Sequence, residues 1–128
     1  MGLIMTQTFE HLARGFRALL IALALGFAAS GAHAHGLNVF AFVENGEVVV
    51  EARFSSGRVP TEGTVRIYDD ADILVATMAL SEDGALRFPL TGAARESGLR
   101  IEVDAGSGHR DYWLLTPADI AAGLDASG

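Results

Sequence analysis

Between residues 37 and 115, short apolar runs alternate with clusters of Gly, Asp, Asn, Ser and Pro. Leu37–Glu44 (LNVFAFVE) is apolar on both faces, the pattern of a central or sandwiched strand. Asn45-Gly46 follows and predicts a hairpin, because a type I′ turn needs two residues at positive φ. Glu47–Phe54 places Val48, Val50, Ala52 and Phe54 on one face and Glu47, Glu51 and Arg53 on the other. That period of two marks a half-buried strand. Residues 55–63 read as a polar loop. Thr64–Tyr68 turns Val65 and Ile67 inward, and Asp69-Asp70-Ala71-Asp72 makes a turn. Residues 73–80 form another apolar strand. Ser81-Glu82-Asp83-Gly84 predicts a second hairpin. Leu86, Phe88 and Leu90 alternate, and Pro89 marks an edge strand or a strand end. Leu99, Ile101 and Val103 alternate with Arg100, Glu102 and Asp104, and residues 109–115 close the series. Seven strands in about eighty residues, evenly spaced, predict an all-β fold: an antiparallel β-sandwich. Thr116-Pro117 then starts a short C-terminal helix, with Thr as cap and Pro at the first helical position.

The first 34 residues follow another pattern. Arg14 and Arg17 precede a twelve-residue apolar block at 18–29, ALLIALALGFAA. At about 1.5 Å rise per residue, such a block is too short for roughly 30 Å of hydrocarbon. Ala32 and Ala34 occupy the −3 and −1 positions of an Ala-x-Ala cleavage site. Positive flank, short apolar core and small residues together read as a secretory signal peptide. The expected organisation is a signal peptide over residues 1–34, a β-sandwich domain over 35–116, and a helix or tail over 117–128. The expected compartment is the periplasm.

Charge narrows the function. Nine arginines and no lysine against sixteen acidic residues give −7 for the whole chain. Residues 35–128 hold seven arginines and fifteen acids, a net −8. A chain of this sign is a poor match for nucleic-acid phosphates, which need clustered cations. Cysteine is absent, which excludes disulfides and thiolate metal sites. There is no phosphate loop, no nucleophile elbow and no His-Glu-x-x-His. The chain is therefore not expected to be an enzyme.

Four histidines remain as candidate chemistry. His11 and His33 fall in the leader, leaving His35 and His109. Cleavage after Ala34 makes His35 the first residue, so a free α-amine and an imidazole can chelate one divalent ion. Nitrogen ligands of this kind suit Cu(II) and Ni(II). Cleavage after Ala32 would instead start the chain His33-Ala34-His35, in which amine, two amides and imidazole bind in a square plane. His109 lies in Ala105-Gly106-Ser107-Gly108-His109-Arg110, at the start of the last strand, where glycines allow unusual backbone angles. Its bland role is to cap the strand or to bond a carbonyl. The two histidines make one site if the first strand lies beside the last. An imidazole ligand must be neutral, so metal affinity is expected to fall as pH drops through about 6.5. Asp69, Asp70 and Asp72 lack the loop that calcium needs and read as a solvated turn. Arg110 and Asp111 read as a surface pair. Of Tyr112 and Trp113, one is expected in the core and the other on the surface.

Several of these segments carry a resemblance. His35-Gly36-Leu37-Asn38-Val39-Phe40-Ala41, the Glu47-Val48 to Phe54 strand followed by Ser55-Ser56-Gly57, Val65-Arg66-Ile67-Tyr68-Asp69 and Ala105-Gly106-Ser107-Gly108-His109-Arg110 with the aromatic strand after it are involved. Together they resemble the small extracytoplasmic accessory proteins of energy-coupling-factor type nickel and cobalt uptake systems. The resemblance covers nearly all of residues 35–115, and the His-Gly start and the Gly-His-Arg turn are its most specific parts. The chain departs from the pattern in two turns, at Asp69-Asp70-Ala71-Asp72 and at Leu80-Ser81-Glu82-Asp83-Gly84. The resemblance implies a transthyretin-like or carboxypeptidase-regulatory-like sandwich and a Ni(II) or Co(II) cargo held by His35 and His109. It also implies docking, without a covalent anchor, on a membrane-embedded uptake transporter. Two other functions fit the residues: a metal-free protein-interaction module, and a Cu(II) chaperone with a histidine brace.

Overall fold

The computed structural model describes residues 36–128. The expected leader and His35 lie outside the described residues. The described chain runs β1 (Leu37–Glu44), β2 (Glu47–Phe54), β3 (Thr64–Tyr68), β4 (Leu74–Ala79) and β5 (Ala85–Pro89). It continues through α1 (Gly92–Ser97), β6 (Leu99–Asp104), β7 (Arg110–Leu115) and α2 (Pro117–Ser127). Of the expected all-β sandwich with a short C-terminal helix, the structure shows a mostly-β chain in two antiparallel sheets with that helix. One antiparallel sheet has the order β1-β2-β5 and the other β4-β3-β6-β7.

Alternation decides which side chains meet between the sheets. Val48 and Val50 on β2, Val65 on β3, and Ile101 and Val103 on β6 are fully buried. They share one core with Leu115 and with Ile120 of α2. Each such side chain contributes about 1.5–3 kcal/mol by leaving water. Asn45 and Gly46 both have positive φ, 52° and 76°, and close the expected β1–β2 hairpin. Pro89 ends β5, which is an outer strand, so its missing N–H costs no ladder bond. Thr116 caps α2 reciprocally: its hydroxyl accepts from the Asp119 N–H at 3.1 Å, and the Asp119 carboxylate accepts from the Thr116 N–H at 3.1 Å. The nearby Thr116 hydroxyl first, and then the Thr116 backbone N–H, hold the Asp119 carboxyl below the usual carboxylate range.

Two expectations need correction. β1 is an outer strand, not a central one; β2 is the strand buried on both faces, with Val49 covered as well as Val48 and Val50. The two-faced apolarity of β1 has another cause, because its outward Phe40 packs sideways on Trp113 of β7, ring centroids 4.8 Å apart. Residues 81–84 do turn, but they make no hairpin. β4 pairs with β3 and β5 with β2, so this turn carries the chain from one sheet to the other. The pattern also did not foretell α1. It has six residues, too few to show a helical period, although Thr91 caps it by accepting from the Ala94 N–H at 3.2 Å.

Candidate functional site

The loop before β7 is built around its acid and its glycines. Gly106, Ser107 and Gly108 stand consecutively at φ of 82°, 55° and 78°. A left-handed backbone at three positions needs small residues, and two are glycine. The turn closes with the Ala105 N–H bonded to the His109 carbonyl and the His109 N–H to the Gly106 carbonyl, both at 2.9 Å. Asp104 braces it from below. One carboxylate oxygen accepts the Gly106 N–H at 2.9 Å, and the other accepts Nε of Arg110 at 2.9 Å. The Gly106 N–H first, and then Arg110 and Arg66, lower the Asp104 carboxyl below its ordinary value. Arg110 thus pairs with Asp104, and the expected Arg110–Asp111 pair does not form.

His109 is half-buried. Its Nδ1 lies 3.1 Å from the Gly106 carbonyl oxygen. A carbonyl can only accept, so Nδ1 is the donor in this contact, and in the neutral ring the lone pair is then on Nε2. The ring packs edge-to-face on Phe54, centroids 5.2 Å apart. The carbonyl bond is the bland role foreseen for this histidine, and it turns Nε2 away from that bond.

The start of β1 comes to the same place. Leu37 pairs with Phe54, the residue whose ring touches His109. The Gly36 carbonyl accepts both the Ser55 N–H at 2.8 Å and the Ser55 hydroxyl at 2.9 Å. Three residues on from Gly36, the Val39 N–H donates to the Asp111 carboxylate at 2.8 Å. Val39 meets Asp111 and Phe40 meets Trp113, so β1 and β7 run in the same sense along a seam between the two sheets. Asp111 supplies there the acceptor that a missing strand partner would have given. Sequence reasoning assigned Asp111 to the surface. No signal local to Asp111 marks this bond, because its donor lies 72 residues away in the chain.

Trp113 packs against the core and Tyr112 is exposed, as the alternation required. The acidic turn is a turn: Asp69 accepts the N–H groups of Ala71 and Ile73 at 2.9 Å, and Asp72 pairs with Arg100 at 3.0 Å. Arg100 also lies 4.1 Å over the Tyr68 ring. Among the described residues no group of three or more His, Asp or Glu could hold a metal ion. The described residues therefore bring one imidazole, His109, to the place where the chain enters β1. Among them no helix is long and apolar enough to cross a membrane. No protein-family model, curated protein or solved structure matches the chain.

Proposed function

We propose that the chain is a periplasmic accessory protein of nickel or cobalt uptake, which holds the divalent ion as cargo between His35 and His109 and passes it to a membrane transporter. In this reading the two sheets form a seven-stranded transthyretin-like sandwich that serves as a rigid frame. One observation carries it: the backbone at Gly36 and Leu37 is tied to Ser55 and Phe54, against which the His109 ring packs. His35 is one peptide bond from Gly36, and consecutive Cα atoms lie about 3.8 Å apart. Cleavage after Ala34 frees its amine beside its imidazole. Amine, His35 imidazole and His109 Nε2 then supply three nitrogens, a donor set suited to Ni(II), with Cu(II) the tighter binder in vitro whatever the biology. The open positions left on the ion are what a transporter needs to take it over.

Isothermal titration with nickel tests this on protein beginning at His35, beside protein carrying one added residue before His35. The added residue, and separately His109→Ala, should each weaken nickel binding by more than about tenfold, roughly 1.4 kcal/mol. Equal affinity in all three proteins would contradict the amine and His109 roles and leave the metal-free interaction module as the better reading.

A further inference from the structure

The edge of the molecule away from the β1–β7 seam carries a second surface, independent of the proposed metal site. β4 is an outer strand of its sheet, and residues 73–80 (ILVATMAL) contain neither a charge nor a proline. An outer strand offers unpaired N–H and C=O groups, and proteins ordinarily guard it with charge or proline. The other outer strands here are guarded: β5 holds Arg87 and Pro89, and β7 is covered by β1. Along β4 the guard is missing, and Ile73, Leu74 and Val75 are 60%, 50% and 54% exposed. Between β4 and β5 runs a groove of about 440 Å³, floored by Ile67, Met78, Phe88 and Leu99 and flanked by α1. The charged residues lining it are Asp69, Asp70 and Glu96, and among the described residues no cation lines it.

We infer that this edge accepts an extended peptide segment of a partner protein, one with alternating apolar residues and lysine or arginine at its ends. The segment adds a strand to β4 and lowers every second side chain into the groove. Charge selects against a second copy of this chain. β4 is preceded by Asp69, Asp70 and Asp72 and followed by Glu82 and Asp83, so antiparallel self-pairing sets acid against acid. Arg100 neutralises Asp72, while Asp69 and Asp70 face a groove that no cation lines among the described residues.

The probes are two fluorescein-labelled peptides with one Thr-Val-Thr-Val-Thr-Val core, flanked by Lys-Lys or by Glu-Glu. They are titrated by anisotropy into the protein expressed with its own leader and purified. The lysine peptide should bind at least about tenfold more tightly than the glutamate peptide, because complementary charge selects partners. Val75→Lys should weaken the lysine peptide about tenfold, with thermal melting unchanged for so exposed a residue. Asp70→Asn, an exposed change, should weaken it about threefold at low salt and less at high salt. Equal binding of the two peptides, or binding of neither, would overturn the inference. So would a dimer in sedimentation that Val75→Lys dissociates, since a second copy would then be the occupant.

Discussion

The two long edges of this molecule are finished in opposite ways. At the seam, β1 lies against β7 with an aromatic contact, a carboxylate bonded to a backbone N–H, and α2 laid over it. At the other edge β4 and β5 stand apart, and the core opens into a groove. The sequences of the strands explain the difference. β7 sets Asp111 against the Val39 N–H and Trp113 against Phe40, so the chain itself satisfies that edge. β4 offers a neutral apolar run and leaves the partner to come from elsewhere. Rigidity belongs where a candidate site needs fixed distances, and the open edge belongs where a surface must receive a second chain.

The largest test of this contrast is one substitution made at both edges. Leu115, 1% exposed at the end of β7, should lose about 2–5 kcal/mol on change to Ala, because it leaves a cavity. Leu74 on β4, half exposed, should lose no more than about 0.5 kcal/mol. Urea unfolding of the two variants measures both. Gly123→Ala comes next. A Cβ there would stand 2.5 Å from the Val43 carbonyl oxygen and 2.8 Å from its Cβ. Alanine normally strengthens a helix by about 1 kcal/mol over glycine. Here it should destabilise by about 1–3 kcal/mol, as α2 is forced off β1. A stabilised Gly123→Ala protein would show that α2 does not seal the seam. Asp111→Ala should cost about 1–2 kcal/mol by stranding the Val39 N–H. Amide exchange at Val39 should quicken with it, while exchange in β4 stays as it was.

The smallest effect is electrostatic. The Asp104 carboxyl is held below its ordinary value of 3.8, chiefly by the Gly106 N–H. A lowered folded-state pKa stabilises above the unfolded value and loses that contribution as pH falls through the folded one. The 105–109 turn should therefore loosen below about pH 3.8, with Asp104→Asn removing that pH dependence. Nuclear magnetic resonance shifts of Gly106 across an acid titration report it.

Period-two alternation made the strands legible, because burial on one face is written directly into residue order. Asn45-Gly46 and Thr116-Pro117 were legible for a similar reason, since a turn or cap needs particular residues. What stayed hidden was partnership. Nothing local to Ser81-Glu82-Asp83-Gly84 says that its two flanking strands join different sheets, because that is settled by β2 and β3 far away in the chain. The apolar outer face of β1 records contact with β7, which the same alternation in a central strand would also produce. At the candidate site, the Gly-Ser-Gly-His loop announced itself through its glycines. Asp111 did not, because a carboxylate bonded to a distant N–H looks like a surface acid until the seam is seen.

The most direct measurement of the central claim is the ¹H–¹⁵N spectrum of protein beginning at His35, recorded with and without one equivalent of nickel. The account predicts shifts or broadening at Gly36, Leu37, Phe54, Ser55 and the 106–110 turn, with Thr77 and Met78 unmoved. Perturbation centred on Asp69, Asp70 and Asp72, or none at the seam, would contradict it.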